Sequence, residues 1–173
     1  VSIGDDAGDG DEDNDNTELI EQRAAYTRFW TEFLHRLELD DQEQRVEPAM
    51  RGQNQYFNLA GGVAWISAFL AQSTGKVGVY ITFKRNAVGQ RLYEGLQADR
   101  AEIDAAIDWP LDWITTENSR GQKHTIRARC PMDGILCDPA RADVIEWLAA
   151  RVNEFVTAFR PRVRELMDEL DGG

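Results

Sequence analysis

The sequence predicts an α+β domain of order α-β-β-β-α-β-β-α, an antiparallel sheet of about five strands with helices packed mainly on one face. Three observations predict it. Apolar residues recur at helical spacing near both ends and once in the middle, and at period two in between. The links among the first three strands are of hairpin length, marked by Gly61-Gly62 and by Ser73-Thr74-Gly75. No βαβ crossover fits before Asn86, so the first three strands form a meander.

From Thr17 to Leu37 the positions Leu19, Ala24, Tyr26, Trp30, Phe33 and Leu37 repeat as a helix does. Asn16 or Thr17 can cap it by accepting a hydrogen bond from an unpaired amide. "ELDDQEQRVEPAMRGQ" reads as a loop. "QYFNLA", "VAWISAFLAQ" and "KVGVYITFKR" follow as strands. In the third, Val77, Val79, Ile81 and Phe83 share one side, and Gly78, Tyr80, Thr82 and Lys84 the other. Residues 87–108 return to helical spacing through Val88, Leu92, Leu96, Ile103 and Ile107. Trp109-Pro110 stops that helix, because the residue before proline disfavours the α region.

"LDWITTE" and "KHTIRARC" read as two more strands, joined by "NSRGQ". Asp138 is placed to cap the last helix, with Pro139 at its first position, where a missing N–H costs nothing. Pro161 lies inside it and predicts a kink near Phe159 or a break into two pieces.

A chain of 173 residues suits one domain with an appendage. The first eighteen residues hold eight acids and no base. Such a run repels itself and buries almost nothing, so residues 1–16 are expected as a disordered acidic tail or linker, with one domain over 17–170 and a frayed end at 171–173. The net charge is −12, and most of it belongs to that tail. An acidic stretch ahead of a compact domain, with no start Met, reads as a linker to an upstream domain of the same polypeptide. No apolar run approaches the ~20 residues that span a bilayer, so no membrane association is expected. Cys130 and Cys137 lack a CxxC pattern or an export signal and read as reduced thiols of a cytoplasmic protein.

"YTRFWTEFLHRL", "VGVYITFKRNAVGQRLYEGLQADRAEID", "LDWITTENSRGQKHTIRARC" and "IEWLAARVNEFVTAFRPRV", in that order, resemble the bacterial and archaeal family called domain of unknown function 4268. The resemblance covers about residues 24–166. It implies an uncharacterised prokaryotic module, often C-terminal in longer proteins, some of which carry nuclease-like regions. It implies no activity.

The residues themselves argue against several chemistries. A nuclease of the restriction-endonuclease type shares the core order α-β-β-β-α-β, but needs an Asp on one strand and Glu-x-Lys on the next to hold a divalent metal. Gln55 to Arg85 contain no acid, and Thr82 stands two residues before Lys84. A degenerate domain of that type, without a metal site, stays as an alternative. No zinc spacing and no phosphate-binding glycine loop exist, and no metal or cofactor is expected. His124 with Cys130 or Cys137 is conceivable as a nucleophilic pair, against the plainer reading of a hydrogen-bonded strand histidine. Of Glu102, Asp104 and Asp108 at the end of the middle helix, Glu102 or Asp108 suits a structural ion pair with Arg120 or Lys123, against the reading of a catalytic acid.

What remains is the outward sheet face. Tyr80 and Lys84 share it with Arg127 and Arg129, and the fourth strand offers either Trp113 with Thr115 or Asp112 with Thr116. Cations interleaved with aromatics suit single-stranded nucleic acid, with rings for bases and guanidinium groups for phosphates. Arg120 lies in the adjoining turn, and Arg51, Asn54 and Tyr56 form a second polar group before the first strand. The expected function is a non-catalytic accessory or binding module of a larger protein, DNA-processing or defence related. A protein-interaction or homodimerisation module is the alternative.

Overall fold

A computed structural model describes residues 10–138 and 140–172. Its elements are α1 (Gly10–Arg36), β1 (Asn54–Leu59), β2 (Ala64–Ala71), β3 (Lys76–Phe83), α2 (Ala87–Ala98), α3 (Arg100–Ala106), β4 (Asp112–Asn118), β5 (Gly121–Pro131) and α4 (Ala140–Asp171). The fold is α+β, with one five-stranded sheet of order β1-β2-β3-β5-β4. Every ladder is antiparallel. The segment after β3 carries β4 to the far edge, and β5 returns to pair with β3.

Glycines close the hairpins. Gly61 and Gly75 adopt φ of 65° and 61°, a left-handed conformation that costs a residue without Cβ nothing. Gly61 lies inside the 3₁₀ turn Ala60–Gly62, and Gly75 caps the turn Gln72–Thr74.

All the helices lie on one side of the sheet. Phe57, Ile66, Val79, Ile81 and Ile126 face them and are fully buried. Phe29, Trp30 and Phe33 of α1 and Phe155 and Phe159 of α4 complete the core. Burying each such side chain stabilises by about 1.5–3 kcal/mol. Trp30 meets Phe29 and Phe33 edge to face at 5.0 and 5.4 Å, and its indole N–H donates to the Gly52 carbonyl at 2.8 Å. That bond ties the 37–53 loop to the core.

The structure differs from expectation in four places. Helix α1 begins at Gly10, so residues 10–16 of the expected disordered tail are helical and Asn16 and Thr17 are not its start. Residues 15–24 are exposed, and the buried stripe begins at Tyr26, so Leu19 and Ala24 do not contribute to the core. The rest of the tail and the expected role of Pro139 lie outside the described residues.

The middle helix is two: Asp99, at φ −100° and ψ 16°, ends α2 with its N–H donating to the Leu96 carbonyl and starts α3. Helix α4 runs through Pro161 as one element. Pro161 is exposed, and so is Thr157, whose carbonyl loses its helical partner on the water side.

Candidate functional site

Register assigns every strand residue to a face, because a one-residue slip would exchange the two. The face away from the helices carries Asn54 and Tyr56 of β1, and Trp65, Ser67 and Phe69 of β2. Lys76, Tyr80 and Thr82 follow on β3, Lys123, Thr125, Arg127 and Arg129 on β5, and Asp112, Ile114 and Thr116 on β4. No helix covers it. Among the described strand residues of this face, four bases stand against one acid, Asp112. Lys84 and Arg85 add two more bases just past β3.

Arg127 and Arg129 therefore lie on the same side, next to each other along β5. Both reach Asp112 Oδ2, through Nε at 3.3 and 3.8 Å. Their side chains stay 28% and 36% exposed, so this shared pair is a surface contact of small energetic weight.

The aromatic part lies beside them. Phe69 and Tyr80 rings are 5.5 Å apart. Burial raises the Tyr56 phenol above its ordinary value, and the neighbouring Tyr80 adds to this, while a hydrogen bond from Asn54 opposes it. Tyr56, Trp65, Tyr80 and Thr82 line a cavity of about 360 Å³, with Lys84, Arg85 and Lys123 beside them. Arg120 lies outside that cavity. It borders a smaller one, about 250 Å³, at the sheet end, together with Lys84, Arg85, Asn86 and His124. Arg51 is exposed in the loop before β1.

Trp113 is the site residue that the structure moves. It pairs with Ile126, a core position, and so points to the helix side. Its indole N–H donates to Asp104 at 2.9 Å, Arg100 sits 5.2 Å from the ring centre, and Tyr93 lies 6.3 Å away. Of the two options for β4, Asp112 with Thr116 takes the open face. Trp65 and Phe69 supply the aromatics that sequence reasoning missed. Ser67 between them was the one signal of an outward parity in an otherwise apolar run.

The remaining chemistry-bearing groups are held structurally. His124 is buried and stacks on Tyr93 at 4.1 Å. Its Nδ1 bonds Thr115 Oγ1 at 2.8 Å and its Nε2 bonds Gln90 Oε1. Burial holds its pKa below the ordinary value, opposed by Glu94. Glu102 pairs with Arg162 at 3.5 Å, not with Arg120 or Lys123, and Asp104 pairs with Arg100 at 3.6 Å. Cys130 and Cys137 are both thiols. Among the described residues no cluster of three His, Cys, Asp or Glu is close enough to hold a metal ion, and no helix is long and apolar enough to cross a membrane.

Fold and face together define an α+β module whose single sheet has one helix-covered side and one open side of cations and aromatics. The chain belongs to the family described as Domain of unknown function (DUF4268), whose model matches residues 25–163. That span coincides with the core, whose first and last buried residues are Tyr26 and Val163. No curated protein and no solved structure matches the chain.

Proposed function

We propose that this domain is a non-catalytic binding module whose open sheet face takes single-stranded nucleic acid. The carrying observation is charge segregation. The chain has a net charge of −12, yet the described strand residues of this face set Lys76, Lys123, Arg127 and Arg129 against Asp112 alone. A polyanion complements such a face, whereas a second copy stacked on it would set base against base. Half-buried Trp65, Phe69 and Tyr80 and exposed Tyr56 add flat apolar surface, on which unpaired bases stack. Duplex DNA keeps the faces of its bases stacked on one another, out of reach of rings on a flat sheet.

The test is binding of a labelled oligodeoxythymidine by anisotropy across a salt series. Binding should weaken with salt. Arg127→Ala with Arg129→Ala should flatten the log–log slope by about 1.4, since each phosphate contact to a single strand contributes about 0.7. Trp65→Ala should weaken binding by the stacking of one base, about 1–3 kcal/mol. No binding at low salt, or binding indifferent to all three substitutions, overturns the proposal. Concentration-dependent dimerisation abolished by those substitutions would assign the face to self-association instead.

A further inference from the structure

The open face is not uniform. The cavity of about 360 Å³ falls within the size range of small-ligand sites. Its walls are Tyr56, Trp65 and Tyr80, three rings from three adjacent strands. At one end stand Lys84, Arg85 and Lys123, and none of the described residues that line it is a carboxylate. Cations gathered at one end of an aromatic recess match a ligand with a flat apolar part and an anionic part at a fixed separation.

A second observation concerns the polar groups beneath. Thr82 lines this cavity and is 5% exposed, and its hydroxyl has no hydrogen-bond partner among the described residues. Ser67, on the same face between Tyr56 and Tyr80, is fully buried with its hydroxyl likewise unpaired. A native fold seldom leaves such groups without partners. Threonine carries a methyl and a hydroxyl on one carbon, so rotation about χ1 exchanges which of them faces the recess.

The geometry points to a subsite for one unstacked nucleotide in this recess. Resting on the single-strand reading above, it assigns the base to the ring-lined walls, an edge of the base to Thr82, and the 5′ phosphate to Lys84, Arg85 and Lys123. This nucleotide anchors the strand, and the rest of the face, Arg127 and Arg129 included, holds the flanking phosphates.

Adenosine 5′-monophosphate is the probe, with adenosine and inorganic phosphate as its parts, followed by ¹H–¹⁵N NMR on the full chain. The nucleotide should shift Trp65, Thr82 and Lys123 signals and bind more tightly than either part. Thr82→Val should weaken it about three- to tenfold, the worth of one hydrogen bond, and Thr82→Ser should not. Urea unfolding of both variants separates this from damage to the fold. Lys84→Ala with Lys123→Ala should bring nucleotide and nucleoside to similar affinity.

If oligodeoxythymidine binds through Arg127 and Arg129 while the mononucleotide leaves the recess unshifted, the subsite is wrong and the module reading survives. If phosphate alone binds as well as the nucleotide, the recess is an anion site and the assignment is again overturned. If neither oligomer nor mononucleotide binds, both readings fall.

Discussion

Gly89→Ala tests how the turn that carries Lys84 and Arg85 is built. Gly89 lies in the first turn of α2, where its amide donates to Asn86 Oδ1 at 2.8 Å. A β-carbon there would sit 1.9 Å from the Lys84 carbonyl oxygen and 2.9 Å from its carbon. Both are backbone atoms, which no side-chain rotation can clear. Helix propensity alone favours alanine by about 1 kcal/mol. Against that stand the cap bond, about 1 kcal/mol, and the overpacking, typically about 1–3 kcal/mol.

The balance predicts destabilisation by about 1–3 kcal/mol, a thermal midpoint fall of roughly 2–12 °C for a chain of this size. In urea the midpoint should fall with the slope unchanged. Gly95→Ala is the contrast. Its β-carbon would meet Leu166 Cδ2 at 2.6 Å, the movable end of a partly buried side chain. It should change stability by less than about 1 kcal/mol, since the propensity gain offsets the repacking. A Gly89→Ala variant as stable as the parent would refute the close approach and the geometry of the turn with it.

Asp112→Asn removes the acid of the open face and should tighten oligonucleotide binding and steepen its salt dependence; unchanged affinity would place the strand elsewhere. His124 sets a pH response. Its folded pKa is lowered by burial, so as pH falls below about 6.5 the unfolded chain takes up the proton first and stability drops. Urea midpoints at pH 7.5 and 5.5 should differ by less in His124→Asn than in the parent. The carboxyls of Asp41 and Glu43 are lowered by hydrogen bonds from Arg160 and Arg164, respectively. Their contribution is present above the ordinary carboxylate value and is lost only as pH falls below about 4, a separate window. Iodoacetamide should alkylate exposed Cys137 well before Cys130, whose thiol is half-buried and pushed up by that burial; equal rates would place Cys130 at the surface.

Much of the fold was legible because periodicity reports burial directly. Alternation in β3 and β5 put Tyr80, Thr82, Arg127 and Arg129 on one side before any coordinates. Where periodicity is symmetric it says nothing. In β4 apolar Trp113 and Ile114 occupy opposite parities, and only pairing with Ile126 decides between them. In β2 both faces are apolar, so Trp65 and Phe69 could not be separated from Ile66 and Leu70. The α2–α3 break was hidden because Leu96 and Ile103 are seven apart, which an unbroken helix also satisfies. Of the two outcomes that Pro161 predicted, the break into two pieces is absent: the cost depends on where the orphaned carbonyl points, and Thr157 is at the surface.

The carboxylate that Arg127 and Arg129 share is a stand-in carried by the chain itself. An anion that docks there exchanges with it at small cost, so on the single-strand reading Asp112 trims the affinity of the face for every anion alike.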